Sequence, residues 1–344
     1  MKKNLIIIFM LLATWLTAAA QDFQVGGISY TKISDQAVSV VKGAKAYEGD
    51  IVVPEQITVD GISYAVEAIG KQAFANSQLS SCKLPESIRE IGEEAFLRST
   101  ITNIELPEGL QALENGVFAI TPITSITIPS TLMELREITD GCPFAYMGYV
   151  KSDGRYYGLD HISVAEGNAV YDSRNQCDAM IETATNTIVQ ATNNTVIPAG
   201  VTAIGQRAFS GLCHLKTLVL SANIETLGYY CFAGCDSLAD IYCYGTTPPQ
   251  GGTEGALAFG RYGDFNFDGA TLHVPFGSKE AYQNTAPWNR FPNIVEFDID
   301  GISLPTTSDE SVERYTVDGR HAAVSTKGLL MIRQGHAIKK AMAK

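Results

Sequence analysis

Leu84-Pro85-Glu86-Ser87-Ile88-Arg89-Glu90-Ile91-Gly92-Glu93-Glu94-Ala95-Phe96 decides the fold, because the phrase comes back along the chain. About 22 residues on it reads Leu106, Pro107, Leu110, Leu113, Val117, Phe118, and later Ile197, Pro198, Val201, Ile204, Gly205, Ala208, Phe209. A repeat of this length is one supersecondary unit that cannot bury its apolar edge alone, so successive units stack as a solenoid.

Working outward from the phrase, the aligned apolar positions predict one short strand per coil. They run Ile51 and Val53; Leu79, Cys82, Leu84; Ile101, Ile104, Leu106; Ile123, Ile126, Ile128; Leu159, Ile162, Val164; Val196, Ile197; Leu215, Leu218, Leu220; Leu238, Ile241, Cys243; and Leu272, Val274. Inward and outward residues alternate with period 2, and Pro after each strand ends the ladder because it has no N–H to donate. The expectation is a mostly β solenoid of about nine coils with short helical or irregular returns that tuck Ile and Phe inside. Gly92 and Gly205 follow the inward Ile at a corner where positive φ would suit Gly, although Glu114 and Arg136 take that place in other coils.

Residues 1–20 read as a cleaved secretory signal: Lys2 and Lys3, an apolar run from Leu5 to Leu16, then Thr17 and Ala18 to Ala20. The run is shorter than the ~20 residues that span a bilayer, so export without membrane insertion is expected. Without Lys2 and Lys3 the chain has 23 basic against 37 acidic residues, a formal charge of −14. That balance excludes nucleic acid as a natural partner, and no basic run interleaved with aromatics appears. Seven Cys in an exported chain would ordinarily suggest disulfides. The register argues otherwise: Cys82 aligns with Ile104, Ile126, Leu218 and Ile241, Cys243 with Leu84, Leu106, Ile128 and Leu220, and Cys231 with Ala208. These are core positions, so the thiols are expected to be reduced.

Two places break the period. After Leu135 the expected Phe is absent, and Asp140-Gly141-Cys142-Pro143 opens an irregular stretch with Tyr146, Tyr149, Tyr156 and Tyr157. The stretch Tyr171 to Gln190 alternates apolar and polar residues around Ala184-Thr185-Asn186 and predicts an inserted β-hairpin. Residues 21–65 read as an N-terminal β cap that covers the first coil and protects the sheet edge. The solenoid then spans 66–297, with the irregular insertion at about 140–195, and a polar linker and β-like tail fill 298–344.

Three groups of residues carry a family resemblance: the phrase around Pro85 and Phe96, the segment Glu166 to Asn175, and the closing run Leu272-His273-Val274-Pro275 with Gly277, Ser278, Ala281, Tyr282, Trp288, Phe291 and Ile294. Over about residues 22–297 the chain resembles the BspA-type leucine-rich repeat proteins, surface and secreted proteins common in gut and oral Bacteroidetes. The resemblance implies adhesion to, or binding of, host proteins, bacterial surface proteins or glycans. The tail, Tyr315 to Arg320, Lys327 to Ile332 and a basic end at Lys339-Lys340, resembles the sorting domains of type 9 secretion substrates; a small β-tail packed on the last coil is the alternative.

Catalytic chemistry finds no residues to carry it. There is no nucleophile elbow, His-Glu-x-x-His helix, Gly-rich phosphate loop or Cys-x-x-Cys pair. Asp264-x-Asn266-x-Asp268-Gly269 matches the first half of a calcium loop, but its twelfth position is Pro275, so no metal or other cofactor is expected. The remaining candidate is the outward ladder of the sheet: Ser81 and Lys83, Asn103 and Glu105, Ser125 and Thr127, Ser163, Thr217 and Val219, Asp240 and Tyr242. Tyr anchors protein and sugar surfaces well, so Tyr146, Tyr149, Tyr156, Tyr157, Tyr242 and Tyr244 are the expected ligand-binding residues. The reading is a non-enzymatic, exported binding or adhesion protein. A structural spacer without a specific ligand is the alternative, and a carbohydrate-active enzyme is less favoured.

Overall fold

The structure, a computed structural model, describes residues 22–136, 144, 158–251, 258–260 and 267–297, with the backbone of the strands Tyr149–Val150, Tyr156–Tyr157, Glu313–Thr316, Gly328–Gln334 and Ala337–Ala343. The leader, Cys142, Tyr146, Asp264 and Asn266 lie outside these residues.

Each coil has three walls. The first is the ladder of longer strands the repeat predicts. Glu48–Val52 pairs in parallel with Gln78–Lys83, Ser125–Ile128 with His161–Val164, and Thr217–Leu220, Asp240–Cys243, Thr271–Pro275 and Ile294–Phe297 follow one another in parallel. The register is the aligned one: Ile51 lies opposite Cys82, Ile126 opposite Ile162, Leu218 opposite Ile241, and Leu220 opposite Cys243. Ile101 and Ile104 are buried as expected, although their segment forms no regular strand. The second wall is a ladder of short strands: Ala37–Val41, Ile62–Ile69, Glu90–Ile91, Ala112–Leu113 and Glu134–Leu135, and in the other half Thr187–Ala191, Ala203–Ile204 and Thr226–Leu227.

The third wall contains no strand. Between coils, alternate residues donate to the next coil: Gln72 N to Glu93 O, Phe74 N to Ala95 O and Asn76 N to Leu97 O, then Glu94, Phe96 and Arg98 likewise to Asn115, Val117 and Ala119. The residues between them close tight turns within the coil, as Ala73 N to Gly70 O and Ala75 N to Gln72 O. This alternation requires a left-handed residue at fixed places, and the chain uses non-Gly side chains for most: Gln72, Asn76, Glu94, Arg98, Ile120, Arg207 and Tyr230 all have φ between 54° and 59°. Such a backbone costs an L-residue about 1–2 kcal/mol. The inter-coil bonds and the Phe inside each turn offset it. Those rings form columns, with Phe74–Phe96 at 5.2 Å, Phe96–Phe118 at 5.6 Å and Phe118–Phe144 at 6.0 Å, and Phe209–Phe232 at 5.4 Å and Phe232–Phe259 at 5.1 Å. The Phe expected near position 140 is thus present, four residues late, as buried Phe144.

Gly92 and Gly205 are not at positive φ. They are small because the coils approach closely: a Cβ on Gly92 would lie 2.9 Å from Lys71 N, and one on Gly205 2.8 Å from Ile188 O.

The predicted hairpin is present, Ala179–Glu182 antiparallel to Thr187–Ala191. It has a second role. The apolar interior divides into two cores, and Met180 belongs to the first while Ala179 and Ile181 belong to the second. Alternation along one strand therefore makes it a septum buried on both faces. On the other arm Ile188 again faces the second core, and Val189 packs on the first. At the other end the short helix Lys279–Gln283, Trp288 and Phe291 close the second core. There Trp288 Nε1 donates to Pro249 O (3.0 Å) and Tyr282 Oη to Gly245 O (2.7 Å).

The cap differs from expectation. Its strands Asp22–Val25 and Ile28–Lys32 lead to Ala37–Val41, which pairs with Ile62–Ile69 and so extends the second wall only. On the first wall Glu48–Val52 is hydrogen-bonded on one side only among the described residues. The tail also differs: its basic end is itself a strand, Ala337–Ala343, the outer member of a three-stranded antiparallel sheet with Glu313–Thr316 and Gly328–Gln334.

Candidate functional site

The outward positions of the first wall change character along the stack. In the first half they are polar, and two cross-strand pairs satisfy each other. Ser81 Oγ donates to Asp50 Oδ1 (2.6 Å), and the hydroxyls of Thr127 and Ser163 lie 3.1 Å apart. At the junction His161 Nδ1 donates to Asp178 Oδ1 (3.0 Å). In the second half the row becomes Val219, Tyr242, His273 and Val295, four Cα partners in sequence across neighbouring strands.

Tyr242 and His273 stack with centroids 4.2 Å apart and planes 10° from parallel. His273 Nε2 donates to Asp240 Oδ1 (2.8 Å); the carboxylate can only accept, which fixes the tautomer and the ring plane. Burial, and then the charge of Asp240, push the Tyr242 phenol above its usual range, so it stays a neutral donor at physiological pH. Phe297 meets Tyr242 edge-on at 6.1 Å. Val295 and Phe276, 43% and 81% exposed, extend the row into solvent. A flat, partly exposed aromatic pair beside an acidic oxygen can stack a sugar ring or an apolar side chain and offer it a hydrogen bond.

Of the expected anchors, Tyr242 stands in this row. Tyr244 does not: it is 5% exposed, its N–H donates to Leu220 O, and Phe297 covers its ring at 5.3 Å. The residue lies past the strand's end, where the chain turns under the last rung. Tyr149 and Tyr157 are partners in a small antiparallel ladder that also includes Tyr156, and Tyr146 lies outside the described residues. His273, Val295 and Phe276 escaped the sequence reading. The signal for His273 was its alignment with Tyr242 in the outward register.

Cys82, Cys177, Cys213, Cys231, Cys235 and Cys243 are unpaired and buried, and burial pushes the Cys82 and Cys177 thiols up to about 12. Such thiols are poor nucleophiles. Among the described residues no group of His, Cys, Asp and Glu is placed to hold a metal, and no helix is long and apolar enough to cross a membrane.

Residues 55–145 and 185–247 match the family model of the BspA type leucine rich repeat region, in six copies. Over those residues the solenoid is similar to BspA-type leucine-rich repeats. The match stops and resumes around the irregular stretch and the hairpin, where the strand pattern departs from the BspA-type coil. No curated protein matches the sequence. Among solved structures, the chain is similar to a leucine rich cell surface protein from Faecalibacterium prausnitzii (16% identity, 81% of this chain and 95% of that one, TM-score 0.36). It is also similar to the pneumococcal vaccine antigen PcpA (12%, 81% and 99%, 0.34) and to a leucine-rich repeat protein from Bacteroides ovatus (13%, 80% and 77%, 0.37).

Proposed function

We propose that this chain is a non-enzymatic, exported surface protein that binds a protein or glycan on the outward face of its solenoid, at the Val219–Tyr242–His273–Val295 row. The observation that carries the reading is the Tyr242–His273 stack, held flat by Asp240 on a rigid parallel sheet. An aromatic platform already fixed in place loses little side-chain entropy when it takes a ligand. The BspA-type repeat and the signal-like leader support the surface location.

A spacer without a specific ligand is the second reading, and the self-satisfied polar half of the same face favours it. Glycan arrays and immobilised host-matrix proteins, probed with the mature chain and with a Tyr242→Ala/His273→Ala variant, separate the two. Specific binding that drops at least about tenfold in the variant supports the row. Binding unchanged in the variant moves the site elsewhere, no binding favours the spacer, and turnover of any polysaccharide overturns the non-enzymatic reading.

A further inference from the structure

The first wall begins at an open edge, and the edge faces a cleft. Tyr47 O accepts from Gln78 N (2.9 Å) and Val53 N donates to Lys83 O (3.0 Å), so odd-numbered residues of Glu48–Val52 serve the neighbouring strand. The ladder is irregular at Gly49, which has φ 73° and a register shift after it; beyond it, alternation turns the N–H and C=O groups of Asp50 and Val52 to the other side, where no strand is paired among the described residues. A cleft of about 470 Å³ runs along that side, lined also by Gly26, Gly27, Gly43, Ala44 and Ala46, with Gln24 and Lys45. A Cβ on Gly26 or Gly27 would touch nothing within 4 Å. The lining is fixed from behind: the Tyr47 hydroxyl accepts from Ser29 N (3.0 Å) and donates to Val41 O (2.9 Å). Val52, 66% exposed, marks the end of the edge. A slot with unpaired backbone on one side and largely Gly and Ala on the other is suited to β-strand addition.

We propose that the strand it takes is Ala337–Ala343 of a second copy of this chain. That strand is also bonded on one side only, so it has a free edge to give. Adjacent strand residues face opposite ways, so one of Lys339 and Lys340 comes to the face that carries Glu48 and Asp50, while Ala337, Ala341 and Ala343 suit a slot lined largely by Gly and Ala. The other free tail strand, Glu313–Thr316, is shorter and begins with an acid. A second copy is favoured over the chain's own tail because the tail leaves the solenoid after Ile294–Phe297, in the second core, whereas the slot lies beside the first. Tail-to-slot pairing is heterologous, so it builds open, concentration-dependent chains of molecules.

The test uses sedimentation velocity on the mature full-length chain over a range of concentrations, and fluorescence anisotropy with a labelled peptide of residues 336–344. Expected are larger species as concentration rises, and saturable peptide binding. Val52→Pro removes a donor that faces the slot and spares the bonds to Gln78–Lys83; it should weaken peptide binding at least about tenfold and leave the chain monomeric. If Val52→Pro impairs folding, as circular dichroism would show, the decisive pair is Lys339→Glu/Lys340→Glu, which should abolish assembly, and Glu48→Lys/Asp50→Lys, which should restore it in the mixture. A chain that stays monomeric, a peptide that fails to bind, or charge reversal without effect overturns the proposal.

Discussion

Cys243 and Leu220 face each other across adjacent strands in the same inward position. That equivalence carries the cysteine chemistry of the molecule, since a thiol that replaces Leu in a packed core is shielded from water and reagents. With Ellman's reagent at pH 8, the six described thiols are expected to stay unmodified until denaturant is added, and mass spectrometry of the native protein to show no disulfide among them. Three native disulfides would overturn the register. Asp172 shows the opposite balance. Burial alone would raise its carboxyl, but Arg174, donating Nε to Oδ1 (2.8 Å) and Nη2 to Oδ2 (2.6 Å), more than compensates and holds it below its ordinary 3.8. A depressed carboxyl stabilises the fold at pH above the unfolded value, and that contribution is lost as pH falls through the folded value. Arg174→Leu should therefore cost about 1 kcal/mol or less at pH 7, the pair being partly exposed, and the gap to the parent in urea melts should close below about pH 3.8. The buried positions of Cys82, Cys231 and Cys243 were legible from the repeat. The burial of Tyr244 was not, because it depends on Phe297, an aromatic 53 residues further along whose contact no local pattern encodes.

Among the elements, the turn wall is the one the sequence concealed. Gln72, Glu94, Arg98 and Ile120 are ordinary choices for a helix or strand and poor ones for a left-handed turn, yet they occupy that conformation because the coils above and below fix it with backbone bonds. The inserted hairpin was legible for the opposite reason: its alternation and its Ala184-Thr185-Asn186 turn are local. The left-handed positions make a direct prediction. Arg98 is exposed, with φ 54°. Arg98→Gly relieves the strained backbone but loosens the unfolded chain, so its stability should lie between that of the parent and about 1 kcal/mol above it; Arg98→Val should lose about 1 kcal/mol or more. Urea midpoints at constant slope measure both, and equal losses in the two variants would show that the strain is not felt at that site.

For the whole molecule, the stack is closed at its far end by Trp288, Phe291 and Ile294, all buried. Among the described strands, those of the tail pair only with one another. Truncation at about Asp300 should therefore leave the melting temperature within about 2 °C of the parent at a dilution where the chain is monomeric. A large fall would show that the tail caps the last coil. The repeat made the stack readable, yet it could not show that the interior is two cores, because the boundary falls at the insertion, where the period is lost. At that boundary Met180 and Ile181 point into different cores from adjacent positions on one strand. The Ala179–Glu182 strand is accordingly a seam for gene duplication and deletion: repeats gained or lost on one side leave the other side's packing as it was, so the arm that carries the Tyr242 row and the arm that carries the open edge are free to change length separately over evolution.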